Sequence, residues 1–276
     1  MKVAIVFDSA GTLLYTYRVA VDVRSKKMKK GVESTMLTCS EKGRSLILLY
    51  AHSLNIFETP SDTLLSDYMK KEGIKFGIAC SNGIVSHEEV SEYLLNDRYA
   101  RISDLQICIK TVWNCCKKLP IVAMNSGVIV NRDLKGIEFT ITSGGRPFSN
   151  AKETISSLHK MGVATYVASG DSTDKLVKMA DYLGIPHDNI HGVATPSIKA
   201  QVIKDLKSVY DCVIMVGDGI NDIPALREAD IAVLTCQQNK NKPKKLIETA
   251  DIIINDVSEI KNITENAIKG GNFKKY

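Results

Sequence analysis

An aspartate that closes an apolar run and opens a glycine-containing loop is a candidate nucleophile beside an anion site. In "VFDSAGTLL" Asp8 follows Val6 and Phe7, and Gly11 and Thr12 come next. Glycine permits a sharp loop whose amides can face a phosphate. Three further groups fall at strand-like ends or just beyond them: Ser169 and Gly170 in "TYVASGDS", Lys199 in "TPSIKAQVIKDL", and Asp218, Asn221 and Asp222 in "CVIMVGDGINDIPAL". Singly, each has a structural alternative: a turn or cap for Asp8, an N-cap for Ser169, a surface position for Lys199. The aspartates of the glycine-rich stretch make a poor turn, because like charges so close need a cation. The order Asp, Ser, Lys, Asp-Gly-x-Asn-Asp argues for the handling of a phosphate. One group is missing. Two residues after Asp8, where a second carboxylate would complete an acid/base pair, stands Ala10.

The elements that must position these side chains follow from periodicity. "TYVAS" precedes the helical pattern "STDKLVKMADYLG", "CVIMVG" precedes "DIPALREA", and "DIAVL" and "DIIIND" are further buried-strand runs. "FSNAKETISSLHKMG" carries Ile155, Leu158 and Met161 at helical spacing and stops at Gly162. Alternating strand and helix predict an α/β fold, a doubly wound parallel sheet with a Rossmann-like core. Ligands of such sheets bind off the carboxyl ends of the strands, where Asp8, Ser169 and Asp218 are expected. Between Leu14 and Gly136 the alternation is interrupted. "RVAVDVRS", "ESTMLTCSE" and "RSLILLYAHS" read as strands of a meander, and "TLLSDYMKKEG" and "VSEYLLNDRY" as helices. This predicts an inserted α+β cap domain over residues 15–135, covering the active-site face, with the catalytic core built from residues 1–14 and 136–276.

The bulk properties suit that plan. A chain of 276 residues, 44% hydrophobic and 24% charged, is neither disordered nor fibrous. A net charge of +5 is spread over short clusters such as "SKKMKK" and "NKNKPKKL", which read as solvated faces rather than a nucleic-acid surface. Seven cysteines include one adjacent pair, Cys115 and Cys116, and none at metal-ligand spacing, so reduced thiols are expected. The chain opens on strand-like "KVAIVF", and its longest apolar run, "LILLYA", is far short of the roughly 20 residues a membrane span requires. The expectation is a cytoplasmic protein with no membrane partner.

The order and spacing of these motifs resemble the haloacid dehalogenase superfamily, and the second half is similar to the phosphorylation domain of P-type ATPases. "GGRPFSNAKETISSLHKMGVATYVASGDS", "TPSIKAQVI" and "VGDGINDIPALREADIAVL" carry the resemblance, and "DSAGTL" stands where those ATPases have Asp-Lys-Thr-Gly-Thr-Leu. It covers residues 1–14 and about 136–255. Ser9 and Ala10 replace the Lys and Thr, and the inserted stretch shows none of an ATPase's nucleotide-pocket signatures. Without membrane helices, an ion pump is excluded.

The resemblance implies a Mg²⁺-dependent phosphohydrolase or phosphotransferase acting on a small phosphorylated substrate. Asp8 would attack phosphorus and form an aspartyl phosphate. Mg²⁺ would be held by Asp8, Asp218 and the backbone carbonyl of Ala10, with Asp222 positioning metal water from behind. Gly11, Thr12, Ser169, Gly170, Asn221 and Lys199 would hold the phosphoryl oxygens, and Lys199 would offset charge during transfer. Alanine at position 10 costs the metal nothing, since only its carbonyl is used. It cannot protonate a leaving group, work worth typically 10² to 10⁴ in rate. P-type ATPases share that deficit and tolerate it because ATP leaves without a proton. Phosphonoacetaldehyde hydrolase is another superfamily member, with alanine there, and its Schiff-base lysine would correspond here to Lys42 or a lysine of "SKKMKK". Its cap is mostly helical, whereas the insert reads first as strands, which argues against that alternative. Otherwise the insert would lend a base, with His52, His87 and Glu88 as candidates. A regulatory module that keeps the metal site but turns over poorly is the remaining alternative.

Overall fold

The computed structural model describes residues 1–83, 85–115 and 123–270; Cys116 lies outside them. β1 (Val3–Phe7) is buried at all five positions. A parallel strand covered on both faces needs no polar alternation, which is why it reads as an unbroken apolar run.

β2 (Leu14–Asp22) leads into the insert, and β7 (Gly136–Pro147) leads out of it. Between them lie β3 (Met28–Lys30), α1 (Ser34–Cys39), β4 (Arg44–Leu49), α2 (Ser53–Glu58), α3 (Leu65–Glu72), β5 (Phe76–Ser81), α4 (His87–Leu95), α5 (Ile102–Cys115) and β6 (Ala123–Asn131). Six strands form one sheet in the order β3-β2-β7-β6-β4-β5. The pairs β2/β3, β4/β5, β4/β6 and β6/β7 are antiparallel. On one face Ile47, Leu49, Val128 and Val130 pack with Ile56, Leu65, Val90, Leu94 and Leu105 of the helices. The alternate residues Leu46 and Ile129 point the other way and join Ala20, Phe139, Ile141 and Leu37 of α1. "ESTMLTCSE" is therefore a helix and not the strand its β-branched threonines suggest. Thr38 bonds back to the Ser34 carbonyl at 2.8 Å, and Leu37 docks on the sheet while Met36 stays exposed.

Past β7 the chain alternates: α6 (Ala151–Lys160), β8 (Ala164–Ala168), α7 (Thr173–Leu183), β9 (Ile190–His191), α8 (Pro196–Lys207), β10 (Cys212–Gly217), α9 (Ile223–Glu228), β11 (Ile231–Thr235), α10 (Lys244–Ile247), β12 (Ile252–Ile254) and α11 (Ile260–Ile268). Their sheet runs β12-β11-β10-β1-β8-β9 and every pair is parallel. It winds outward in two directions from β1, a mixed α/β, doubly wound core. α6 buries Ala151, Thr154, Ile155 and Leu158 at helical spacing, and the chain turns at Gly162 with φ +75°. α7 repeats the pattern with Leu176, Met179, Ala180 and Leu183.

The chain divides into two compact units, Met1–Thr16 with Arg146–Tyr276, and Tyr17–Gly145. The divisions fall two and ten residues later than the alternation of the sequence placed them, because most of the long strand β7 belongs to the antiparallel sheet. Among the described residues no helix is long and apolar enough to cross a membrane.

Candidate active site

The carboxyl ends of three adjacent parallel strands set the site. Asp8 follows β1, Asp218 follows β10 and Ser169 follows β8. Main-chain pairing carries β1 right up to the first of these, since Asp8 N donates to the Val216 carbonyl at 2.9 Å. Behind Asp8 the chain folds sharply: the amides of Leu13 and Leu14 both donate to the Ser9 carbonyl, at 3.0 and 2.9 Å, and Gly11 takes φ +80°. A β-carbon at Gly11 would overlap the Asp218 carboxylate. Glycine is needed there both for its backbone angle and for the close approach of the two loops.

Carboxylate oxygens of Asp8, Asp218 and Asp222 all lie within 4.8 Å of one another. Asp222 is wholly buried, and its Oδ2 accepts from the amides of Asp218 and Gly219, at 3.0 Å each, fixing the glycine-rich loop. Its Oδ1 accepts from Lys199 Nζ at 2.7 Å. Lys199 also donates to Asp8 Oδ1 and is itself buried, so it bridges two carboxylates. α8 delivers it. The Thr195 hydroxyl caps the helix by accepting from Ile198 N at 3.4 Å, Pro196 opens the first turn, and Lys199 lies on the buried face with Val202 and Ile203.

Burial pushes the Asp8 carboxyl up to about 8, the charge of Asp222 adds to this, Lys199 opposes it, and Asp218 raises it further. For Lys199 burial works downward, but the carboxylates of Asp8 and Asp222 outweigh it and hold the ammonium form. Three carboxylates meet here, and the ligand atoms they offer a cation are hard oxygens. That chemistry fits Mg²⁺ at Asp8 and Asp218, while both Asp222 oxygens are engaged by protein.

Among the other expected site residues, Thr12 is fully buried and its hydroxyl has no protein partner. Ser169 is buried and exchanges hydrogen bonds with Asp171 at 3.2 and 3.3 Å. Gly170 is exposed beside it. Asn221 Nδ2 reaches Asp222 Oδ1 only at 3.5 Å. Ala10 lies in the loop between Asp8 and Gly11, bridged to Leu14. The candidate bases of the insert have local work: His52 caps α2 through Nδ1, His87 stacks on Phe76 with centroids 4.5 Å apart, and Glu88 stands in the first turn of α4. Lys42 is exposed, and Lys26 of "SKKMKK" pairs with buried Asp104 at 2.8 Å.

One residue of the site escaped the sequence reading. Lys242, in the cluster "NKNKPKKL" taken for a solvated face, turns its side chain inward and donates to the Asp218 carbonyl at 2.6 Å and to its Oδ2 at 3.0 Å. The available signal was its place in the loop that follows β11, one more carboxyl strand end.

Comparison with known proteins agrees with this geometry. The copper-transporting ATPase of Helicobacter felis is 36% identical over 112 residues, which is 40% of this chain and 14% of the pump. Among solved structures, the catalytic domain of the CPx-ATPase CopB-B covers 95% of this chain, and is itself covered to 89%, at 17% identity and a TM-score of 0.48, too loose a likeness to bear on function. A soluble P-type ATPase-like phosphatase of Methanocaldococcus jannaschii is 34% identical over 272 residues, spanning 98% of this chain and 96% of its own. The family model for haloacid dehalogenase-like hydrolases matches residues 3–230, from β1 through the glycine-rich loop and α9. With the aspartates and the buried lysine standing at the carboxyl ends of one parallel sheet, the chain belongs to the haloacid dehalogenase-like hydrolases.

Proposed function

We propose that this hydrolase is a Mg²⁺-dependent phosphatase that works through an aspartyl phosphate on Asp8, with a small phosphate ester as substrate and the cytoplasm as its place. The observation that carries the reading is the buried Lys199 bridging Asp8 and Asp222 within a three-aspartate cluster. A carboxylate at the end of the central strand has a fixed direction of attack, and Lys199 holds it there. Asp8 attacks phosphorus, the ester P–O bond breaks, and the leaving oxygen departs with its electron pair; water then cleaves the acyl phosphate and regenerates the carboxylate. Bound at Asp8 and Asp218, Mg²⁺ would supply the positive charge that lets Asp8 ionise and lets a phosphate dianion approach it. Thr12 and Ser169 have hydroxyls to donate to the phosphoryl oxygens, Thr12 having no other partner. Ala10 brings no acid, so the reading favours substrates whose leaving group is stable as an anion.

The test is hydrolysis of p-nitrophenyl phosphate with and without Mg²⁺. Asp8→Asn and Asp218→Asn should each abolish the Mg²⁺-dependent rate while the circular dichroism spectrum is retained. Near wild-type turnover by purified Asp8→Asn protein would overturn the covalent mechanism.

A further inference from the structure

Lys242 has a place in the site that the reaction steps above do not use. Its side chain is only 4% exposed, yet it lies on an irregular loop, so something must hold the loop in place. Three neighbours do. Gln237 Oε1 accepts from Val257 N at 2.5 Å. Gln238 accepts from Thr16 N at 2.8 Å and donates to the Thr16 carbonyl at 3.1 Å, pinning the loop to the end of the segment that carries Asp8. Asn239 Oδ1 accepts from Asn241 N at 2.9 Å, and the loop then enters α10. The anchored loop presents an ammonium group to two oxygens of one residue, the carboxylate and carbonyl of Asp218.

We propose that Lys242 is a fixed cation of the metal centre, lowering its affinity for the divalent ion and raising its affinity for the phosphate group. The inference rests on the phosphatase reading and deepens it. With Lys199 alone, three carboxylates would meet one ammonium, and a divalent ion would bring the site only to neutrality. Lys242 leaves the loaded site with one net positive charge, which attracts a dianionic phosphate where a neutral site would not. The same charge repels the ion, since it sits on the carboxylate that would bind it. A lysine that served only to hold Asp218 in position would act in the opposite direction on the metal, because its loss would slacken a ligand.

Isothermal titration of Mg²⁺ into the metal-free full chain separates the two. In Lys242→Met the Mg²⁺ Kd should tighten roughly tenfold, an ordinary size for coupling between two ligands. Inorganic phosphate, titrated at saturating Mg²⁺, should bind correspondingly more weakly. Lys242→Arg, which keeps the charge, should restore both values toward wild type, and Lys242→Gln, which keeps a donor without the charge, should behave as Met does if the methionine variant fails to fold. Mg²⁺ binding that removal of the charge leaves unchanged or weakens would overturn this inference alone. Absence of Mg²⁺ binding by the wild-type chain would overturn the phosphatase reading and this inference with it.

Discussion

Asp8 is buried at the end of the sheet's central strand, and burial together with the charge of Asp222 holds its carboxyl up at about 8 against an ordinary 3.8. Between those two values the folded, metal-free chain keeps a proton that the unfolded chain has lost, so this group's contribution to stability falls as pH rises through that window. Asp8→Asn removes the titration. In chelator, the melting temperature of Asp8→Asn relative to wild type should therefore increase from pH 4 to pH 8, measured by thermal denaturation at each pH. A difference that stays flat would mean that Lys199 already compensates the Asp8 charge in full. Most residues of the cluster were legible in the sequence, because a carboxylate past a buried strand has few structural uses. Lys242 was not. It meets Asp218 from 24 residues away, and a lysine among lysines carries no mark of burial.

At the level of elements, the loop after β1 and the loop after β10 approach so closely that only a hydrogen fits between the Gly11 backbone and the Asp218 carboxylate. Gly11→Ala would place a side chain on a residue with φ +80°, costing roughly 1–2 kcal/mol, and would displace Asp218 as well. The expected result is a folded protein with a modestly lower melting temperature that no longer binds Mg²⁺ by calorimetry; wild-type Mg²⁺ affinity in this variant would mean that the two loops do not share the ion. The strands that carry the site could be read without a structure, since β1, β10 and β11 are buried at every position. The insert was harder. In α1 only Thr38 is buried, and six residues with one docking leucine have too short a period to separate helix from strand. β6 pairs along its whole length with β7 as far as Gly145, around an irregularity between Ile129 and Val130 that breaks the alternation, and neither stretch reads as a strand from its sequence.

For the whole molecule the decisive property is that one unit is assembled from two separated segments, residues 1–16 and 146–276, while residues 17–145 form the other without interruption. β10 and β8 each pair with β1, and β1 is what joins β12-β11-β10 to β8-β9. A chain lacking residues 1–16 should therefore lose protection from hydrogen exchange in β8 and β10 while the strands of the insert keep theirs; retained protection in β10 would mean that the sheet closes without its central strand. During synthesis β1 emerges first, and the 156 residues from 8 to 163 must follow before its first partner strand, β8, exists. The segment that supplies the nucleophile is thus made first, yet is paired only after the whole insert has been made. A chain that ends before β10 cannot bring Asp218 to Asp8 and Lys199, so the full cluster comes into being only after both partner strands of β1 have been made.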